Sequence, residues 1–329
     1  MNHEEIIRKT AERFVAAWET ADMDDVEELF LPDAEVEFSI FDAGLTVKKL
    51  TEKLAERPRK VAFTSFEIIN YVCAVGNKSA QQSFSMMGLL ADKKEGKWEQ
   101  FHFEGAFANT LQLTDKGWKI SKMLFNLTDA NTAPWGKVFS SGITIEKGFG
   151  DDSFVSNWDV RQPDDRIGWY PDKRLPVIVP EIDAPWVAIK DRLNPGTDEQ
   201  QIEETFFKYS YGVDNGLFEL FEDVFTEDAV IKYFDDQPWD KRTVTEMLKF
   251  EKQGACRTIH TGYVKDICIN GDIATAQVYL RGTFYYPDKI TDEVIRKRWI
   301  WSRYHLDYRK ENDIWKIHRM FFYPGCFTM

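Results

Sequence analysis

No run of 18 apolar residues occurs anywhere in this chain, and no basic cluster is longer than Arg296, Lys297 and Arg298. The first absence predicts a protein with no membrane-spanning helix and no membrane partner. The second, set against a formal net charge of −13, turns most of the surface against a polyanion, so nucleic acid is not an expected partner. Cysteine is scarce. Cys73, Cys256, Cys268 and Cys326 lack C-x-x-C spacing, which argues against a disulfide framework and a structural zinc site. They are expected as buried thiols in a reducing compartment. The opening stretch MNHEEIIRKTAERF is charged from its third residue and has no apolar h-region, so a soluble, cytoplasmic protein is expected. KGFGD (147–151) has two glycines but no lysine-serine pair after them, and no cofactor is expected.

What the chain does hold is apolar and aromatic surface, at 43% and 15% of residues, enough to fill packed interiors. Its 329 residues exceed the usual reach of one hydrophobic core, so two domains are expected. The sequence says the same by repeating itself. WKISKMLF (118–125) returns as WKIHRMFF (315–322), a spacing of 315 − 118 = 197. ELFLPDAEVEF (28–38) lines up with DVFTEDAVIKY (223–233), and Gly76 with Gly271, at 271 − 76 = 195. A duplicated domain over 1–127 and 199–329 is the natural reading.

Each copy opens with a helical pattern. EEIIRKTAERFVAAWETA places Ile6, Ile7, Phe14, Val15 and Trp18 on one face, and EQQIEETFFKYSYGV repeats the device. A short helix, a strand and a third helix follow (TVKKLTEKLAE or TVTEMLKFEKQ), and then the period changes to extended segments rich in β-branched and aromatic residues, parted by GNKS, DKKEGK and TDKG. The fold class is therefore α+β: two tandem cone-shaped domains, each a curved antiparallel sheet packed against about three helices. Residues 128–198 belong to neither copy. They carry Pro134, Pro163, Pro171, Pro176, Pro180, Pro185 and Pro195, which forbid long regular elements, and also Trp135, Trp158, Trp169, Trp186 and Phe154. So many aromatics predict an ordered strap on one or both domains rather than a mobile tether.

The order of helix, short helix, F-x-x-D-A-x-[VI] into a strand, third helix and a meander ending in W-K-I resembles the SnoaL-like branch of the nuclear transport factor 2-like cone fold. The resemblance covers roughly 4–126 and 199–324. It fixes a fold more than a function, because this cone hosts dehydratases, ketosteroid isomerases, polyketide cyclases and plain binders. The second copy resembles the scytalone dehydratase family. The resemblance puts that family's aspartate on Asp214, its strand tyrosine on Tyr233 and its pocket histidine on His260, within RTIH. Val213, Phe284 and Tyr304 stand where the family has a tyrosine, a second histidine and an asparagine. With Tyr209 they are the residues expected to line a substrate pocket.

The chemistry implied is acid-base work without metal. A carboxylate at Asp214 would orient the His260 ring and raise the basicity of its other nitrogen, making it a general base beside a carbonyl. Tyr233 would hydrogen-bond the developing enolate oxygen. Loss of a β-hydroxyl would then make a dehydratase, and return of the proton elsewhere an isomerase or cyclase. The substrate class is a carbonyl-containing cyclic or aromatic molecule. The alternative is a non-catalytic binding or scaffolding protein for a small apolar or aromatic ligand, with the two cones paired as an internal pseudo-dimer and a homodimer as a further option. Each residue has a plainer reading too: His260 as a core histidine, Asp214 as part of a DNG helix-end turn, Tyr233 as strand packing.

Strand parity sorts the rest. Tyr304 shares a face with Ser302 and Leu306, while Trp301, Arg303, His305 and Asp307 share the other, with Arg281 also expected outward. His305 and Asp307 lack a third ligand of fixed spacing, so no metal site is expected. His318, the histidine that WKIHRMFF adds, is assigned to packing or surface. In the first copy the positions of Asp214, Tyr233, His260 and Tyr304 fall on Glu19, Phe38, Ser65 and Phe107, so the base is missing. Of Asn109, His102 and Glu104, only Asn109 has the parity to see a ligand. The first pocket is read as degenerate and chiefly structural.

Overall fold

The computed structural model describes residues 3–41, 43–55, 61–94, 97–130, 145–146, 154–156, 177–190, 192–193, 196–233, 237–254, 257–287 and 295–327. The chain divides into two compact units, the first holding residues up to 147 and 157–194, the second 148–156 and everything from 195 onward. Among the described residues no helix is long and apolar enough to cross a membrane.

In the first unit, α1 (His3–Thr20) buries Ile7, Ala11, Phe14, Val15 and Trp18, spacings of three and four residues that lay one stripe on the sheet. A 3-10 turn (Val26–Leu29), β1 (Phe30–Phe38) and α2 (Val47–Ala55) follow, with Leu50 and Leu54 buried along α2. Then come β2 (Phe63–Val75), β3 (Ser79–Lys94), β4 (Lys97–Thr114) and β5 (Gly117–Ala130). The sheet order is β1-β5-β4-β3-β2. Four strands form the expected antiparallel meander, and β1 adds to β5 in parallel, so the sheet is mixed.

Only part of the stretch between the repeats is described. Trp135, Trp158 and Trp169 lie outside the described residues. β6 (Ile145–Glu146) and β7 (Phe154–Ser156) are short, and α3 (Pro180–Asp183) and α4 (Pro185–Ala188) each start on a proline, where its missing N–H leaves nothing unsatisfied. Residues 177–190 and 192–193 pack against the first sheet. Ile178 packs on Ala108 and Leu124, Gln81 Nε2 donates to the Asp183 carbonyl at 2.8 Å, and Arg192 donates to the Cys73 carbonyl at 3.1 Å. This segment covers the outward face of β4, which is why Ala108 is buried there.

The second unit repeats the plan. α5 (Asp198–Asn215) starts on a capping box, with Thr197 accepting from Gln200 N, and ends at Gly216, whose φ of 73° is the left-handed C-cap that glycine permits. A 3-10 turn (Phe218–Leu220), α6 (Phe221–Val224), β8 (Phe225–Lys232) and α7 (Lys241–Gly254) lead into β9 (Arg257–Asn270), β10 (Ile273–Pro287), β11 (Ile295–Glu311) and β12 (Ile314–Phe327). β8 pairs in parallel with β12, as β1 does with β5, and β7 adds to β11. The thiols are not uniformly buried: Cys73 is, but Cys268 is exposed on the edge strand β9, where alternate residues face solvent.

Candidate active site

The helices of the second unit close over the sheet around a cavity of about 230 Å³. Tyr209 and Val213 line it from α5, Tyr233 from just beyond β8, and Met247, Leu248, Glu251 and Lys252 from α7. The sheet contributes Thr258 and His260, Leu280, Gly282 and Phe284, Ile300, Ser302 and Tyr304, and Phe322. Alternation along β11 puts Ile300, Ser302 and Tyr304 on the cavity side. Trp301, between them, is exposed on the other face. Gly282 lies directly across the ladder from His260, and a Cβ there would sit 2.7 Å from the Phe284 ring, so glycine is what lets that ring lie beside the histidine.

Asp214 is not part of the cavity wall. It stands behind His260 and grips it twice: Oδ1 accepts from the ring Nδ1 at 2.6 Å, and Oδ2 accepts from the backbone N–H of His260 at 2.8 Å. The helix-end turn and the functional contact coexist here, because Gly216 ends α5 and so leaves the Asp214 side chain pointing at the first turn of β9. With Nδ1–H committed to a carboxylate, a neutral imidazole carries its lone pair on Nε2. His260 is nearly buried, and the Phe284 ring meets it edge-on at 5.9 Å.

The inner end of the cavity is phenolic. The Tyr209 and Tyr233 hydroxyls are in direct hydrogen-bond contact, and Tyr304 adjoins both through the Phe206 and Phe322 rings. Burial pushes all three phenols above their ordinary pKa, and for Tyr304 the neighbouring Tyr233 adds to it. They are neutral donors at any ordinary pH. Lys252 Nζ donates to the Asp214 carbonyl and to the Thr258 hydroxyl, tying the end of α7 to α5 and β9. Burial lowers the Lys252 pKa against the pull of Asp214. Ser302 Oγ is buried at the cavity with no hydrogen-bond partner among the described residues.

Six of the seven residues named from sequence thus line one cavity, and the seventh holds one of them. Sequence reasoning put Ser302 on the face of Tyr304 without naming it as a site residue, and it missed the whole α7 contribution. The remaining candidates lie elsewhere. His305 Nε2 meets Asp307 at 3.1 Å and its Nδ1 meets Gln277, on the face of β11 opposite Tyr304. His318 Nδ1 is 3.3 Å from Thr226 Oγ1 and 3.6 Å from Asp228, remote from the cavity wall.

The first unit fills the equivalent volume with rings. Straight across its sheet run Phe103, Gly88 and Phe66, where the second sheet has Ile300, Gly282 and His260. The counterpart of the histidine is therefore Phe66, not Ser65. A constant sequence offset of 195 misplaces it by one residue because the edge hairpins correspond at 194: Val75 pairs with Ala80 as Ile269 pairs with Ala274, and each outer strand carries one bulge before the rung of Phe66 or His260. Phe66, Phe103, Phe38 and Phe125 all meet Trp18, at ring-centroid distances of 5.5 to 6.4 Å. Asn109 is fully buried on the same face as Phe107, and its amide has no partner among the described residues. Glu104 is buried on the opposite face, and the His102 side chain lies outside the described residues.

A family model for the SnoaL-like domain matches residues 1–123 and again 196–320. No curated protein matches the chain. Among solved structures, Kfla4162 from Kribbella flavida is 17% identical, covering 41% of this chain and 95% of its own, with a TM-score of 0.38. A protein from Novosphingobium aromaticivorans provisionally called a scytalone dehydratase is 19% identical over 40% of this chain and 86% of its own, TM-score 0.35. A type 2 hexachlorocyclohexane dehydrochlorinase, LinA, is 14% identical with the same coverages and TM-score. Each spans one unit's worth of this chain. The family model covers well over half of the sequence in two separate matches, so the chain belongs to the SnoaL-like family and carries its domain twice.

Proposed function

We propose that the second domain is a cofactor-independent lyase of the dehydratase type, acting on a cyclic or aromatic ketone by removing a proton next to its carbonyl. The observation that carries this reading is the Asp214–His260 pair: a carboxylate fixes the Nδ1–H tautomer at 2.6 Å and leaves Nε2 as the basic atom of a residue that lines an apolar cavity. Tyr233, backed by Tyr209, supplies a neutral hydroxyl for the oxygen on which negative charge develops. Ser302 Oγ asks for a polar partner from a ligand or a water. A cavity of about 230 Å³ suits a molecule of one or two rings.

Proton abstraction can be tested before the natural substrate is known. The wild-type protein in D2O is expected to speed deuterium incorporation at the α-carbon of 2-tetralone, followed by NMR. Asp214→Asn, which offers an amide where the ring N–H needs an acceptor, is expected to slow the exchange roughly 10- to 100-fold. A ketone that binds in the cavity but exchanges at the solvent rate would make the domain a binding module instead.

A further inference from the structure

The His260 reading supplies a base and hydrogen-bond donors for an enolate, but expulsion of a hydroxyl also requires a proton for the departing oxygen. α7 holds an unexpected group for that purpose. Its stripe toward the sheet runs Val244, Leu248 and then position 251, with Val244 and Leu248 buried. By helical period an apolar residue belongs at 251. The first domain has one: at the spacing 251 − 54 = 197 its α2 carries Leu54, which is 1% exposed. In the second domain the same position is Glu251, lining the cavity beside Leu248 and His260.

The titratable groups facing Glu251 come from three strands and its own helix. His260 on β9, Tyr233 after β8 and Tyr304 on β11 all lie within electrostatic reach of it. Lys252 is adjacent in sequence, but its ammonium is turned to the Asp214 carbonyl and Thr258. Glu251 as a residue is exposed although it lines the cavity, so it stands at the mouth, where solvent can reload it.

We propose that Glu251 is the general acid of this site, giving its proton to the β-hydroxyl while His260 takes the α-proton. The proposal rests on the His260 reading above. The α-carbon–hydrogen bond breaks and its electron pair forms the carbon–carbon double bond. The β-carbon–oxygen bond breaks, and the leaving oxygen takes the Glu251 proton to depart as water. The products are an enone, water, an imidazolium and a carboxylate, and proton exchange through the mouth restores the last two. Partial burial lifts the Glu251 carboxyl above the usual carboxylate range, against the pull of His260, so its acid form survives to higher pH than an exposed glutamate's would.

Two probes separate the base from the acid: α-deuterium exchange of 2-tetralone, which consumes no leaving group, and dehydration of 4-hydroxy-4-phenylbutan-2-one, which does. Glu251→Gln is expected to slow dehydration about 10²-fold more than it slows exchange. In the wild type, dehydration falls as pH rises through the Glu251 pKa while exchange does not. That alkaline fall is expected to vanish in Glu251→Gln and to persist, displaced, in Glu251→Asp, which still titrates. Loss of both activities by the same factor, less than threefold loss of dehydration, or an alkaline fall retained in Glu251→Gln would overturn the acid while leaving the base standing. A wild type inactive on both probes, or a His260→Ala protein that still exchanges, would overturn the base and the acid together.

Discussion

His260→Ala is expected to cut α-deuterium exchange of a cyclic ketone by about 10²- to 10⁴-fold, the usual worth of one positioned proton carrier. The fold should survive it. Asp214 Oδ2 is held by the backbone N–H of residue 260, which alanine keeps, so only the Oδ1 contact is lost. A charge-assisted hydrogen bond of this kind contributes roughly 1.5–3 kcal/mol, a modest part of a domain's stability. The substitution also leaves room against the Phe284 ring, where imidazole added to the buffer can sit and stand in for the missing side chain. Partial rescue of exchange by imidazole, rising with pH as the free imidazole deprotonates, would show that a base is what was removed. Exchange within threefold of wild type, with no response to imidazole, would place the base on another residue.

How much of this site could be read in advance depended on how local each signal was. Asp214, Tyr233 and His260 each sit in a short motif, and β11 parity was enough to put Tyr304 inward with Ser302 and Trp301 outward. The two-domain α+β plan was legible because the repeats carry both period and order. Parallel addition of β1 to β5 and β8 to β12 was not, since no spacing within a strand reports which distant partner it takes. Glu251 escaped because KFEKQ reads as a polar helix end. Its meaning comes from comparison with Leu54, and only the packed helix shows that position 251 faces the cavity. The slip from Phe66 to Ser65 has a similar origin: the offset between the repeats changes from 195 at Asp33 and Asp228 to 194 along β2 and β9 without leaving a composition mark, and a one-residue error inverts every side chain.

The first domain gives the complementary prediction, that Trp18→Ala destabilises it by about 3–5 kcal/mol. Trp18 is 1% exposed and meets Phe14, Phe38, Phe66, Phe103 and Phe125, so its removal takes the central ring out of a cluster that has no solvent to draw on. The corresponding residue of the second domain, at 213 − 18 = 195, is Val213, which lines the ligand cavity. The same cup is thus kept open by a small residue in one copy and closed by an indole in the other. Urea unfolding followed by far-UV circular dichroism is expected to show the first domain's transition moved down by roughly 2 M, at a typical slope of about 2 kcal/mol per molar. Exchange activity, which depends on the second domain's residues, should persist below that transition's midpoint. The void left behind is apolar and lined by phenylalanines, so benzene or indole should bind it and recover part of the loss, as dry engineered cavities do. A stability change below about 1 kcal/mol would mean that the surrounding rings collapse into the space, and that the first domain's cup is closed by plastic packing rather than by this one side chain.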